Sequence, residues 1–288
     1  MFMPRRVLEE KLLRFLKEDV GEGDITTHLT IPQNIITEAE VVVKEGGLVA
    51  GIEEAIVLCE SLNLKVKALT SDGALVNPKT SILRIVGDAR TLLSAERTLL
   101  NILSRMSGIA TITNRLVGKI KAAGYKTRVA CTRKVAPGLG YFDKKAVLVG
   151  GGDTHRFHLD DLVLIKDNHV KILGSVISAV KKARETVSFS KKVEVEVTST
   201  EDAVKAAKAG ADIIMLDNFP PAKVKKTVSL LTKKGVRNKV LLEVSGGITE
   251  KNILQYTTVG VDILSIGEIT HSVKALDMSL EVVKLRKN

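Results

Sequence analysis

VEVEVTSTEDAVKAAKAGADIIML, residues 193–216, carries the architecture in miniature. VEVEV alternates strictly and reads as a strand, TEDAVKAAKAGA (200–211) has helical patterning, and DIIML (212–216) is a second short β-branched run. A strand, a helix and a strand in close succession predict two parallel strands joined by a crossover helix. The same alternation extends in both directions, through KTRVAC (126–131), LVLI (162–165), SVISAVKKARETV (175–187), VLLEV (240–244) and DILSI (262–266). Right-handed crossovers allow such units to close into a barrel or to stay as an open, doubly wound sheet, and the pattern leaves both available.

Polar residues and glycines follow these apolar runs: Thr132-Arg133-Lys134, Lys166-Asp167-Asn168-His169, Asp217-Asn218, Ser245-Gly246-Gly247, and Gly267-Glu268 after Ile266. Parallel α/β folds bind ligands at the carboxyl ends of their strands. The last two ends carry glycine, and Thr249 has the position of an N-cap before EKNILQY, so the pair predicts a phosphate site built from backbone N–H groups. In VEVEV the valines share one face and Glu194 and Glu196 the other. A parallel strand is covered on both sides, so these carboxylates need cations, hydroxyls or metal-bound water as company. Glu196 lies nearer the strand end, and Asp217 ends the next strand; two acids there suit a ribose diol or hydrated Mg²⁺ on a pyrophosphate. Arg133, Lys134, His155, Arg156 and Lys166, several of them beside the triple glycine 150–152, form a candidate anion pocket. Neighbouring cations disfavour protonation of His155 there, and a bound dicarboxylate favours it. The residues thus predict an enzyme that binds a phosphorylated ligand and a second anion.

The first third has a different style. Residues 5–18 read as an amphipathic helix with Val7, Leu8, Leu12, Leu13 and Phe15 as its apolar set. GEGDITTHLT (21–30) reads as a loop, residues 37–50 as two strands about a Gly-Gly turn, IEEAIVLCESL (52–62) as a helix, and residues 64–86 as further short strands. A long helix follows over about 91–121, with Arg97, Asn101 and Arg105 on one polar face that periodicity alone reads as solvated.

Composition narrows the class. The 288 residues are 44% hydrophobic and 27% charged, which predicts an ordinary globular protein with a sizeable core. Cys59 and Cys131 give no disulfide framework and no metal spacing. Lys and Arg total 44 against 33 Asp and Glu, a formal charge of +11 that suits a lysine-rich surface, anionic substrates or nucleic acid. Aromatic content of 3% without Trp leaves few stacking platforms, so no nucleic-acid partner is expected. The charged start from Arg5 and the lack of a long apolar run lead to the expectation of a cytoplasmic protein with no membrane partner. HExxH, CxxC and a strand-borne GxGxxG do not occur.

GEGDITT (21–27), AERTLLNILSRMSGIAT (95–111), TRKVAPGL (132–139), GGGDTHRFHLDDLVLIKDNH (150–169), VEVEV (193–197), IIMLDN (213–218) and SGGI (245–248) occur in this order. Together they resemble the quinolinate phosphoribosyltransferase family. The resemblance implies an α/β chain of two domains: an N-terminal α/β (α+β) sandwich over residues 1–106, joined by a C-terminal helix over 271–288, and an incomplete parallel α/β barrel over 107–270. It implies transfer of phosphoribose from phosphoribosyl pyrophosphate to quinolinate with loss of CO₂, giving nicotinate mononucleotide and pyrophosphate for NAD synthesis, with Mg²⁺ and no organic cofactor. By position, Arg133, His155, Arg156 and Lys166 match residues that hold the quinolinate carboxylates, Lys134 matches a residue near the pyrophosphate, and Thr132 is expected among the substrate-binding residues. Glu196 and Asp217 match the acids around ribose and Mg²⁺, which they reach through water; with Lys134 and Lys166 they form the expected catalytic set. Ser245, Gly246, Gly247 and Gly267, with its neighbours Ile266 and Glu268, match the 5′-phosphate loops. Arg97 matches an arginine that reaches into a partner subunit's site, which implies a homodimer or a hexamer built from dimers. The sequence departs from the family's usual pattern at Cys131 (usually Asp), Val135 (Thr), Gly140 (Arg) and Thr154 (Asn). The molybdenum-transport-associated ModD group is the alternative, but it tends to lack the full basic set and the KDNH sequence retained here.

Overall fold

The computed structural model describes residues 3–286, and the chain divides into two compact units: one runs up to Ile112 and resumes at Val273, the other spans Thr113–Ser272. The first unit contains α1 (Arg5–Val20), α2 (Ile25–Thr30), β1 (Ile36–Val43), β2 (Gly47–Leu48), α3 (Ile52–Ser61), β3 (Lys65–Ala68), β4 (Leu75–Val76), β5 (Ser81–Asp88) and the start of α4 (Ala89–Ala122). Leu8 and Leu12, one turn apart, are the buried residues of α1; Val7 is 42% exposed, so the apolar stripe is narrower than the sequence suggests. The expected loop at 21–30 instead contains α2, because Asp24 caps it by accepting a hydrogen bond from the Thr27 N–H at 2.9 Å. Alternation works as expected in β1, where Ala39, Val41 and Val43 are wholly buried and their neighbours are not.

The C-terminal segment corrects an expectation. The helix expected over 271–288 is absent from the described part; Met278–Arg286 forms a strand antiparallel to β1, pairing Val43 with Met278 and Ile36 with Arg286, and residues 287–288 lie outside the described residues. MSLE alternates with period two, and the free edge of β1 offers eight residues of backbone donors and acceptors that a helix could not satisfy. The resulting four-stranded antiparallel sheet has the order of this last strand, then β1, β5 and β3, with β2 and β4 as a separate pair.

The second unit contains β6 (Arg128–Ala130), α5 (Gly140–Val149), β7 (Val163–Ile165), α6 (Asp167–Leu173), α7 (Val176–Thr186), β8 (Val193–Val197), α8 (Thr200–Ala209), β9 (Ile213–Asp217), α9 (Pro221–Lys233), β10 (Leu241–Ser245), α10 (Ile253–Thr257), β11 (Ile263–Ser265) and α11 (Glu268–His271); the strand of Met278–Arg286 in the first unit is then β12. The six strands are parallel in the order β6-β11-β10-β9-β8-β7. From β7 to β11 each strand pairs with the next in sequence, and β11 pairs with β6, the first. That is the ring order of a barrel with one seam left unpaired; a doubly wound sheet would reverse direction at its first strand. The mixed α/β class is therefore as expected, and strand order decides the alternative the sequence left available.

Candidate active site

Strand parity sorts the residues of β8 to β11. Val193, Val195, Val197, Ile214, Leu216, Leu242, Val244 and Leu264 are at most 2% exposed and form the apolar face. The opposite face carries Glu194 and Glu196 of β8, Met215 and Asp217 of β9, Glu243 and Ser245 of β10 and Ser265 of β11; the register sets Glu196, Met215 and Glu243 in one row and Asp217, Ser245 and Ser265 in the next. Most of this face lines a cavity of about 530 Å³ together with Thr132, Arg133, Lys134, His155, Arg156 and Lys166.

The loops at the strand ends fix the rim. Thr132 Oγ1 accepts the Lys134 N–H at 3.1 Å, and the Lys134 carbonyl accepts the Thr270 hydroxyl at 2.9 Å. Lys166 precedes α6, and its backbone N–H donates to His169 Nδ1 at 3.0 Å, so the histidine of KDNH closes a turn. Lys166 Nζ lies 3.9 Å from Glu196 Oε2. The Glu196 carboxyl is raised by burial and then by Asp217. Two neighbouring carboxylates facing lysine across an open cavity suit a hydrated divalent cation better than an additional anion.

At the ends of β9 and β10 the backbone crosses closely. Asn218 has φ +54° and donates its N–H to the Ser245 carbonyl at 2.8 Å. Gly246 has φ +96°, and a Cβ there would fall 2.1 Å from Asn218 Oδ1, which is why this position requires glycine. Thr249 does not cap α10: Asn252 precedes the helix, accepting the Thr249 N–H and donating to the Gly247 carbonyl, both at 2.8 Å. Gly246 and Gly247 follow β10, Ile266 and Gly267 follow β11, and Glu268 opens α11, all of them outside the cavity lining; a Cβ on Gly267 would lie 3.2 Å from Lys134 Cδ. Arg97 is an exposed residue of α4 in the first unit and is not part of the lining.

His155 and Arg156 reach the cavity by another route. Asp153 forms an isolated parallel bridge with Ala130 beside β6, donating its N–H to Val129 and accepting that of Cys131. His155 then adopts φ +49°, with its N–H on Asp153 Oδ1 at 2.8 Å. Its Nδ1 accepts the Arg156 N–H at 2.7 Å, and its Nε2 lies 3.3 Å from an oxygen of both Glu194 and Glu243. Both glutamates are completely buried. Burial pushes the imidazole down, but the two glutamates outweigh it and lift it to about 10, while burial raises the Glu194 carboxyl. The trio thus retains a proton at neutral pH, and because Nδ1 is occupied as an acceptor, that proton belongs on the glutamate side. Arg156 is 8% exposed, and its guanidinium is held below its usual range by burial and by Arg133.

Sequence reasoning missed three members of this site. Glu243 was visible only as an acid inside an apolar run, and Glu194 as an inward residue without a named partner. Lys144 lies in α5, a helix that the sequence reading did not identify; it is 1% exposed and donates to the Thr154 carbonyl at 2.5 Å, with Cys131 Sγ at 3.5 Å. Cys131 and Thr154, two of the departures from the family pattern, therefore meet at one buried ammonium, and burial raises the Cys131 thiol and lowers Lys144.

The described residues contain no helix long and apolar enough to cross a membrane. The profile of the quinolinate phosphoribosyl transferase C-terminal domain matches residues 109–281, and that of its N-terminal domain matches residues 24–107. A probable carboxylating nicotinate-nucleotide pyrophosphorylase of Methanocaldococcus jannaschii is 46% identical over 284 residues, covering 96% of this chain and 99% of the relative. The carboxylating nicotinate-nucleotide pyrophosphorylase of Homo sapiens is 39% identical, covering 85% and 82%. The solved nicotinate-nucleotide pyrophosphorylase structure from Francisella tularensis superposes with a TM-score of 0.89 at 39% identity, covering 98% of both chains.

Proposed function

The chain belongs to the quinolinate phosphoribosyltransferase family, and on that premise we propose that its strand-end cavity transfers phosphoribose from phosphoribosyl pyrophosphate to quinolinate and releases CO₂. The products are nicotinate mononucleotide and pyrophosphate, a step of NAD synthesis. The observation that carries this reading is the arrangement in one cavity of Arg133, Lys134, Arg156 and Lys166 around the carboxylates Glu196 and Asp217.

Arg133, Arg156 and Lys166 hold the two quinolinate carboxylates, the arginines by paired N–H donors and the lysine as a point charge. Lys134, next to Thr132, meets the pyrophosphate. Ser245, Gly246 and Gly247 with Gly267, flanked by Ile266 and Glu268, receive the 5′-phosphate through backbone N–H groups. Glu196 and Asp217 bind the ribose hydroxyls and would hold Mg²⁺ through water, the ion's contribution being neutralisation of pyrophosphate charge. The pyridine nitrogen attacks the anomeric carbon as the pyrophosphate bond breaks, and the carboxylates stabilise the oxocarbenium character that develops. The ring nitrogen is then positive. The C–C bond to the adjacent carboxylate breaks, its electron pair stays on the ring carbon beside that nitrogen, and a proton completes the product. The pyridinium is its own electron sink, so the reaction calls on no organic cofactor. Arg97, exposed on α4, would complete the site of a partner subunit in a homodimer or in a hexamer of dimers, and the setting is cytoplasmic metabolism.

The test is a Mg²⁺-dependent assay with phosphoribosyl pyrophosphate and either quinolinate or nicotinate, following mononucleotide and CO₂ together. Product and CO₂ from quinolinate alone is the expected result. A folded sample that turns over neither acid overturns the proposal and favours the molybdenum-transport-associated alternative.

A further inference from the structure

His155 lines the cavity, yet neither ring nitrogen is free to meet a substrate. Nδ1 takes the Arg156 N–H, and Nε2 faces Glu194 and Glu243. The four glutamate oxygens are buried without a hydrogen-bond partner among the described residues, and one oxygen of each lies 3.3 Å from His155 Nε2 as its nearest cationic neighbour. We infer that His155 is a positioning residue: Glu194 and Glu243 hold its Nε2–H, which keeps Nδ1 an acceptor, and Nδ1 in turn locks the left-handed turn that presents Arg156 to the acidic substrate. The inference rests on the reading of Arg156 as a quinolinate ligand.

Three observations converge on it. A histidine at φ +49° is uncommon and needs a local reason, and the Nδ1 bond to the next residue's N–H supplies one. Acceptors at Nε2 select the tautomer with hydrogen there, just as a carboxylate fixes a histidine elsewhere. The Arg156 guanidinium, 8% exposed, feels the charges of Glu194 and Asp161, and its backbone N–H is fixed by His155 Nδ1, so its direction depends on the turn that His155 holds. The three groups also lie within 4.8 Å of one another, a spacing that a divalent ion accepts. A metal on Nε2, however, leaves the remaining ring proton on Nδ1, and Nδ1 here accepts a hydrogen bond.

The experiment has two arms. Long-range ¹H–¹⁵N NMR on the native protein labelled at its five histidines reads the tautomer directly. One ring with a pyrrole-type Nε2 and a pyridine-type Nδ1, lost in Glu194→Leu/Glu243→Leu, is expected; a protonated Nδ1 at His155, or a stoichiometric divalent metal that is retained in Glu196→Gln/Asp217→Asn and lost in Glu194→Leu/Glu243→Leu, overturns the inference. In the second arm, His155→Ala raises KM for quinolinate about tenfold or more and moves KM for phosphoribosyl pyrophosphate less than about twofold. His155→Asn supplies an acceptor at the Nδ1 position and tolerates positive φ, so it recovers about fivefold of that loss. If His155 instead binds the substrate as a cation, Asn does no better than Ala. Failure of the native enzyme to use quinolinate would sink the proposed function, while the NMR arm still decides the tautomer.

Discussion

The rim and the floor of the cavity use charge in opposite ways. On the rim, Arg133, Lys134 and Lys166 are exposed at strand ends, where water shares the cost of their charge and a ligand can take them up. On the floor, Glu194 and Glu243 have no solvent, and the charge they face is one histidine 3.3 Å from an oxygen of each, with a retained proton among the three. Rim charges are available because they are cheap to leave unpaired. Floor charges are useful because they cannot be, and so they fix geometry.

The sharpest way to break this contrast lies between the two regions, at Glu196 and Asp217. Glu196→Gln and Asp217→Asn are each expected to lower kcat/KM by about 10³-fold, near 4 kcal/mol. Because burial already raises Glu196, its neutral replacement leaves the melting temperature unchanged or slightly higher by calorimetry. Loss of fold alongside loss of activity would assign these acids to the structural floor instead.

The floor has its own signature in pH. The imidazole titrates near 6.5 when unfolded, and in the fold the two glutamates lift the titration to about 10; with Nδ1 held as an acceptor the extra proton is shared by the His155–Glu194–Glu243 trio on its Nε2 side, so the folded state binds more protons between those values. The stabilisation is complete below pH 6.5, declines as pH rises, and is gone above 10, an effect on the order of 5 kcal/mol. Chemical denaturation across that window measures it, and His155→Asn is expected to flatten the curve.

The rim responds through binding. Arg133→Ala and Lys166→Ala each raise KM for quinolinate by about 10–100-fold, with a penalty that shrinks in high salt because the groups are exposed. A smaller effect tests the shape of the rim: Gly246→Ala, at φ +96° against Asn218, is expected to cost about 1–3 kcal/mol and to weaken binding of phosphoribosyl pyrophosphate. Far from both regions, breaking the exposed Lys44–Glu281 pair, 2.6 Å long, is expected to change stability by no more than about 0.5 kcal/mol.

Much of the rim is legible in the sequence because strand parity and strand ends follow from local patterning: VEVEV announces which face carries acids, and the polar residues after each apolar run mark the mouth. The floor is not legible in the same way. Glu243 and Glu194 come from strands β10 and β8, which flank β9, and His155 arrives from a segment that merely bridges to β6, so their meeting is a fact of tertiary register. Lys144 escaped notice for the same reason, since nothing local marks a lysine whose partners are backbone carbonyls. The last segment is a strand rather than the expected helix because its state is decided by the open edge of β1, more than 230 residues earlier.

That pairing also sets a timetable for synthesis. As the polypeptide leaves the ribosome, β1, β3 and β5 emerge early, but the strand that covers the outer edge of β1 is made only after the whole parallel unit. At about 5–20 residues per second the wait is on the order of ten to forty seconds. The parallel unit, encoded in one uninterrupted stretch, has all its strands before the antiparallel sheet can be completed. Throughout that interval β1 shows a bare, valine-rich edge, and a nascent chain crowded among its copies is most exposed to mispairing there.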